Sequence, residues 1–341
     1  LCAEADIIID AIFGIGFDGV APSDVLQLFA GIDQAILRRR AEVPGADSKK
    51  PVKIALDGPS GIHLDGATDP IHIRAIRADH TLTVGHLKPA HVDDVYAPWI
   101  GEVTTVPIGV STPEEHLAKI MNPQSVLGQL AESLDSLTPF AHKYRKGLAY
   151  VAAGSASYPG AARLAIAGAL AARPGYVQWI VEPKGTFDNR FLPPSVVPLY
   201  LENAPDSVPL AATKERPAAC LFGPGRSEFS DRDRQLIKDW SGPIVLDAGG
   251  LTNANVRRLF PYPHAASLTA PRILTPHRAE FEVLWQCHLD TGRLGSGTRP
   301  HQGPDSQNLI ERARSLAEAW NVTILLKGAN TIIANQIGEV F

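Results

Sequence analysis

Several polar loops in this chain could do chemistry, and they fall at the ends of apolar runs. Asp10-Ala-Ile-Phe-Gly14-Ile-Gly16-Phe-Asp18-Gly19 follows one such run, and Asp57-Gly-Pro-Ser60-Gly61 follows another. The glycines of the first permit a tight turn and let backbone N–H groups approach an anion closely, so it is either a plain turn or a phosphate loop. An aspartate ahead of a Pro-Ser-Gly turn can present a carboxylate and a hydroxyl to a ligand or cation, or can simply cap the turn. Two such loops at neighbouring strand ends favour a site.

The second half repeats the pattern with Gly154-Ser155, Tyr158-Pro-Gly160-Ala161, Gly223-Pro-Gly225, Asp247-Ala248-Gly249-Gly250 and Thr275-Pro-His277. His277 is either a ligand contact or a solvated turn histidine. Lys327-Gly328-Ala329-Asn330-Thr331 combines an ammonium, free backbone N–H groups and a hydroxyl. That set makes a cradle for nucleotide phosphates, or else a hairpin with a solvated lysine. Arg38-Arg39-Arg40 and Lys49-Lys50 flank a Pro/Gly loop and read as a solvated helix end in preference to an anion site.

The elements that must position these loops are short runs rich in Ile and Val, alternating with longer helical patterns. This is the signal of parallel sheets covered by helices. In the first third the spacing predicts strands at Asp6–Ile12, Val52–Leu56, His80–Val84 and Glu102–Ile108, with a helix opened by Pro22-Ser23-Asp24. A proline-punctuated break at 111–138, with one amphipathic stretch from Val126 to Leu137, reads as an interdomain link. Strands then follow at Leu148–Ala152, Tyr176–Val181, Ala218–Phe222, Ile244–Leu246, Arg272–Leu274 and Thr323–Leu326, leading into Ile332–Ala334. Helices are expected at Ala161–Ala172, Ser230–Trp240, Ala279–Gln286 and Gln307–Trp320, and a surface loop at Leu289–Ser306. Ligands of parallel sheets bind beyond the carboxyl ends of the strands, which is where the polar loops fall.

Composition narrows the function class. The 341 residues are 45% hydrophobic and 20% charged, enough for about two domains. Net charge is −4 and the pI about 6.3, which gives no broad footprint for nucleic acid. No apolar run reaches the ~18–20 residues needed to span a bilayer. Cys2, Cys220 and Cys287 are an odd, scattered set. They read as reduced thiols of a cytoplasmic protein, neither a disulfide frame nor a zinc site. The chain begins at Leu1, has its one methionine at Met121, enters a strand-like run almost at once and stops at Phe341. It is expected to hold pieces of two domains, truncated at both ends.

In order and spacing the motifs resemble the bifunctional NAD(P)H-hydrate repair family. That family joins a Rossmann-like NAD(P)H-hydrate epimerase to an ADP-dependent (S)-NAD(P)H-hydrate dehydratase of ribokinase-like fold. Asp10-Ala-Ile-Phe-Gly14-Ile-Gly16, Asp57-Gly-Pro-Ser60-Gly, Ala78-Asp79-His-Thr-Leu-Thr-Val-Gly85-His-Leu-Lys88-Pro and Gly101-Glu-Val are similar to the later part of the epimerase. His142-Lys143, Ala153-Gly154-Ser155, Tyr158-Pro-Gly160-Ala161, Gly223-Pro-Gly225, Leu246-Asp247-Ala248, Leu274-Thr-Pro-His277-Arg-Ala-Glu280 and Lys327-Gly-Ala329-Asn-Thr331 are similar to the dehydratase.

The resemblance implies two three-layer αβα domains: an epimerase-like part at 1–115, a linker and helix at 116–141, and a dehydratase-like part at 142–341. It implies K+ on Asp10 and Ser60. It places the hydrated dinucleotide against Gly14, Ile15, Gly16, Phe17, Asp18, Gly19, Val20 and Asp57. In the dehydratase half, Ala161, Gly225 and His277 would contact the S-hydrate, while Lys327, Gly328, Ala329, Asn330 and Thr331 would hold ADP with Mg2+. Small-molecule ligands, with neither nucleic acid nor membrane as a partner, complete the expectation, which is compatible with a homo-oligomer.

Two departures stand out. The family's Gly-Gly-Thr-Gly-Asp motif, which carries its catalytic aspartate, does not occur in the chain, and its Asp-Ala-Asp run reads Asp247-Ala248-Gly249. Little or no dehydratase turnover is therefore expected of these 341 residues, because the mechanism requires a base at the hydroxyl. The alternatives are a ribokinase-like small-molecule kinase, which would lack the Asp57-Gly-Pro-Ser60 neighbour, and a catalytically dead nucleotide-binding protein.

Overall fold

A computed structural model describes residues 5–42, 51–66, 73–109, 146–181, 192–200, 217–226, 240–252, 270–292 and 305–341, with a few isolated positions between them. Two compact units emerge: residues 1–117 with 300–311, and residues 118–299 with 312–341.

The first unit carries a four-stranded sheet of β1 (Ile7–Asp10), β2 (Val52–Leu56), β3 (His80–Val84) and β4 (Glu102–Val106), in that spatial order. All three pairings are parallel. Strands added in chain order and in one direction put right-handed crossovers on a single face. The helices obey this. In α1 (Ser23–Glu42), Phe29, Ile32 and Ile36 pack with Ile8 of β1. Around α2 (Pro89–Val92) and α3 (Ala97–Ile100), Ala90, Tyr96 and Ile100 pack with Val103 of β4. Ile8 and Val103 point to the same side of the sheet by register. On the opposite side Ile7, Ile9, Leu56, Val84 and Val106 are exposed.

The second unit is built on eight strands: β5 (Leu148–Ala152), β6 (Tyr176–Ile180), β7 (Val196–Leu199), β8 (Ala218–Phe222), β9 (Ile244–Leu246), β10 (Arg272–Leu274), β11 (Thr323–Leu326) and β12 (Ile332–Ala334). Their order is β12-β11-β10-β9-β8-β5-β6-β7, parallel throughout except for the β11–β12 hairpin. β5, buried at four of its five positions, shows why its run in the sequence is apolar without a break. Helices α4 (Pro159–Ala171), α5 (Arg278–Gly292) and, from residue 312 onward, α6 (Asp305–Trp320) accompany the sheet. Ala162 and Ile166 of α4 pack on Val151, Val177 and Trp179. Order reverses between β5 and β8, and at such a reversal the loops after the two strands part and leave a crevice.

The α/β class with parallel sheets is as expected, and most strand bounds agree residue for residue. The differences have local causes. β1 stops at Asp10 because the Ile12 N–H turns back to Asp10 Oδ1 at 3.3 Å. β4 stops at Val106 because Pro107 has no N–H to give. β7 was not predicted: Pro198 inside Val196–Leu199 disguises an edge strand. The expected loop at 289–306 is a correction. Residues 289–292 continue α5 and 305–306 begin α6, since Cys287 and Leu284 stay buried and prolong the helical face. Residues 293–304 lie outside the described set, as do 132–137 of the predicted linker helix, whose 126–131 are helical.

Candidate functional site

In the first unit Asp10 closes β1 and Ser60 follows β2, and the fold brings the two together. Asp10 Oδ2 accepts the Ser60 N–H at 2.7 Å and Oδ1 accepts the Ser60 hydroxyl at 2.6 Å. Ser60 Oγ in turn accepts the Phe13 N–H at 2.9 Å, tying the start of the Gly14 loop to the same cluster. Both side chains are buried. The loop is pinned further along: Phe13 and Phe17 stack at 4.6 Å, Phe17 lies 5.3 Å from the His63 ring, and His63 Nε2 donates to Gly19 O at 2.9 Å. Gly14 and Phe17 are partly covered, whereas Ile15, Gly16, Asp18, Gly19 and Val20 are exposed.

Asp57 sits just past β2 in a left-handed backbone conformation, φ +66°. Its Oδ1 accepts from Lys88 Nζ and from the Val84 N–H at 3.2 Å. Burial alone pushes this carboxyl up, but the Lys88 hydrogen bond, the Val84 N–H and the Lys88 charge together hold it below its ordinary value. A Cβ on Gly14 would stand 4.0 Å from Asp57 Oδ2, so the second oxygen faces the glycine loop.

In the second unit the loops after β5 and β8 meet at the reversal of strand order. The Gly154 N–H donates to Pro224 O at 2.7 Å. Gly225, φ +65°, lies so close to α4 that a Cβ there would run into that of Ala161. Ala161 and Gly225 are thus brought into contact, and only a residue without a Cβ lets them approach. Further along the same edge, Asp247, Thr275 and Lys327 follow β9, β10 and β11. Asp247 Oδ1 accepts the Thr275 hydroxyl at 2.8 Å and Lys327 Nζ at 2.8 Å. The Lys327 N–H donates to Pro276 O at 2.8 Å, and a parallel bridge joins His277 to Lys327.

His277 itself opens α5. Its Nδ1 accepts the Ala279 N–H at 3.1 Å while Glu280 Oε2 accepts the His277 N–H at 2.8 Å, a reciprocal cap that puts the proton of the neutral ring on Nε2. Gly328 and Ala329 are exposed beyond β11, and Asn330 and Thr331 lead into β12. Sequence reasoning gave no role to Lys88, His91 or Thr275; Thr275 directly follows β10 and Lys88 lies in the loop after β3, while His91, inside α2, carries no local signal.

Gly249 answers a question raised by the sequence. A Cβ there would stand 2.5 Å from Arg226 O, a backbone atom. Gly249→Asp, which restores the Asp-Ala-Asp run, is therefore expected to destabilise the second unit by about 1–3 kcal/mol through overpacking. Denaturant melts followed by the buried Trp179 and Trp240 check this, and an unchanged midpoint would refute it.

A family model described as NAD(P)H-hydrate dehydratase matches residues 149–341, which is more than half of the chain. The chain belongs to the NAD(P)H-hydrate dehydratase family. A second model, described as YjeF-related protein N-terminus, matches residues 2–90. Among characterised relatives of this dehydratase-family chain are two bifunctional NAD(P)H-hydrate repair enzymes. That of Mycobacterium tuberculosis is 31% identical over 348 residues, and that of Synechocystis is 29% identical over 349. Each match covers 99% of this chain and 60% of the relative, so the chain spans about three fifths of their length. A solved ADP/ATP-dependent NAD(P)H-hydrate dehydratase from Bacillus subtilis, co-crystallised with ATP/Mg2+, is 25% identical, with a TM-score of 0.42 over 60% of this chain and 66% of that one.

Proposed function

We propose that the protein works in nicotinamide nucleotide repair. The first unit would interconvert the R and S hydrates of NAD(P)H. The second would bind the S-hydrate and ADP for the dehydration that returns NAD(P)H, AMP and phosphate. The observation that carries this is the pairing of two family matches, one over each half, with polar loops gathered at the carboxyl edge of each sheet. A lone kinase of ribokinase-like fold would leave the first match without a purpose. The domain division we propose is 1–115 and 142–341 with a linker at 116–141. A reducing, cytoplasmic setting suits Cys220 and Cys287, which are buried and not joined in a disulfide.

Potassium fits Asp10 and Ser60 by chemistry. A carboxylate and a hydroxyl offer oxygen donors only, and one negative charge suits a monovalent ion. When bound there it would add positive charge beside the loop from Gly14 to Val20, which we assign to the dinucleotide together with Asp57. For magnesium, one carboxylate beside ADP phosphates suffices, and Asp247 is available next to Lys327. Magnesium would offset phosphate charge. Lys327 would hold ADP with the Gly328–Thr331 turn, and Ala161, Gly225 and His277 would border the hydrate. In the family's reaction the ADP β-phosphoryl group passes to the hydrate oxygen, AMP leaves and a base takes the hydroxyl proton, which makes a good leaving group. Departure of phosphate with the adjacent ring proton then restores the double bond. The Gly-Gly-Thr-Gly-Asp aspartate that would be this base does not occur in these 341 residues, so binding is the share we propose for them. Positioning and charge stabilisation are the protein's share of such a step.

The test is calorimetric titration of the chain with S-NADHX, alone and with magnesium-ADP present. Saturable binding that is lost in Asp57→Asn for the first unit, and in Ala161→Trp for the second, is expected. Absence of heat at millimolar S-NADHX, both alone and with magnesium-ADP, would remove the proposal.

A further inference from the structure

Lys88 and His91 surround Asp57 from one short stretch of chain, and their bonds divide its functional groups between them. Lys88 Nζ donates to Asp57 Oδ1, to Thr83 Oγ1 at 3.0 Å and to Val84 O at 2.9 Å. Three acceptors match three ammonium protons, so Lys88 is a fixed cation with no proton left over to offer a ligand. His91 Nδ1 accepts the Lys88 N–H at 3.1 Å, which leaves the ring proton on Nε2, and Nε2 donates to the Asp57 carbonyl at 2.8 Å. His91 is 3% exposed, and burial, foremost, brings it down to about 4, so the ring is neutral at physiological pH and keeps the Nδ1 lone pair that this chain of bonds needs. The Asp57 backbone at φ +66° costs a non-glycine residue free energy and persists only where its neighbours hold it.

We propose that Lys88 and His91 are positioning residues for Asp57: Lys88 takes Oδ1 and His91 takes the carbonyl, so that Oδ2 is presented to the Gly14 loop as an ionised acceptor. This rests on the reading above that Asp57 contacts the hydrate. Lys88 and His91 are also the titratable side chains that act on the Asp57 carboxyl. A ring or ribose hydroxyl of the bound dinucleotide is the donor such an oxygen would take. Without Lys88, the Val84 N–H is the main influence left against burial of Asp57, and its carboxyl rises. Hydrate affinity must then fall as pH falls, because the protonated form grows. Without the His91 N–H, the left-handed turn relaxes and affinity drops at every pH.

The experiment is S-NADHX titration at pH 5 to 8 for Lys88→Met, Lys88→Arg, His91→Leu, His91→Gln and Asp57→Asn, each and the wild type in an Ala161→Trp background that closes the second unit's site. Wild-type affinity is expected to be flat over that range. Lys88→Met is expected to bind about twofold more weakly at pH 5 than at pH 8, the loss when roughly half of the carboxyl is protonated at the lower pH, with Lys88→Arg restoring the flat profile. His91→Leu should weaken binding evenly, and His91→Gln, which keeps an N–H donor, should recover most of it. If Asp57→Asn loses binding while Lys88→Met and His91→Leu keep the wild-type affinity and profile, the positioning role is wrong and the Asp57 assignment survives. If Asp57→Asn binds like wild type, both fall.

Discussion

Asp10→Ala is expected to loosen the first unit while leaving the second unchanged. The Asp10 carboxylate accepts the N–H and the hydroxyl of Ser60, and Asp10 and Ser60 are only 5% and 1% exposed. Alanine leaves two buried donors without an acceptor, in addition to losing bonds to a charged group. Each stranded donor costs roughly 1–3 kcal/mol, so a loss on the order of 3 kcal/mol follows. Asp10→Asn should cost less: its amide retains one acceptor, and the Ser60 hydroxyl can rotate to accept from the other end. A single melting curve is a poor readout for a chain with two compact units. Hydrogen exchange followed by mass spectrometry reads them separately, and protection should fall in 7–10, 52–60 and 80–84 while 148–152 and 218–222 hold. Unchanged protection in β1 and β2 would show that the carboxylate is not what joins the two loops. The milder asparagine variant then isolates the ion. Potassium stabilises only what binds it, so added KCl should raise wild-type protection around Asp10 and leave Asp10→Asn where it was.

The same residues show what a sequence discloses. Asp10 and Ser60 were legible because each ends an apolar run, and parallel sheets place such ends on one edge. Strand bounds were legible from unbroken apolar runs: Leu148–Ala152 is buried at four of its five positions, and Ala218–Phe222 is apolar throughout with Ala218, Cys220 and Phe222 buried. What a local pattern does not encode is which loop meets which. Lys88 reaches Asp57 across 31 residues and Lys327 reaches Asp247 across 80, and both pairings depend on strand order. His277 shows the converse. Its position after Thr-Pro marked it as a candidate ligand contact, and the tertiary structure uses its Nδ1 to cap α5 and sets its Nε2 3.5 Å from Glu280 Oε1. Gly249 is a third kind of case. In the sequence it is a missing carboxylate, and only the approach of Arg226 O shows that a side chain would not fit there.

Lys327→Ala is expected to lower affinity for magnesium-ADP by about 10- to 100-fold, the worth of one or two charge-assisted hydrogen bonds to phosphate. The lysine stands at the end of β11, where its N–H bonds to Pro276 O and keeps the strand in register with the loop after β10. Alanine preserves that backbone bond, so the fold should survive and calorimetry reads binding alone. Part of the expected loss comes from Asp247. Its Oδ1 takes Lys327 Nζ at 2.8 Å, and without the lysine an uncompensated carboxylate faces the incoming phosphates. In titrations with ADP alone, without magnesium for Asp247 to hold, Asp247→Asn added to Lys327→Ala should therefore recover several-fold of the affinity, although Thr275 keeps its bond to the amide oxygen. If Lys327 were only the counter-ion of Asp247, the single variant would bind ADP as the wild type does and the double variant would change nothing. If Lys327 holds phosphate, the double variant must fall between the single variant and the wild type. That ordering separates the cradle from the solvated hairpin, the two readings that the sequence left open.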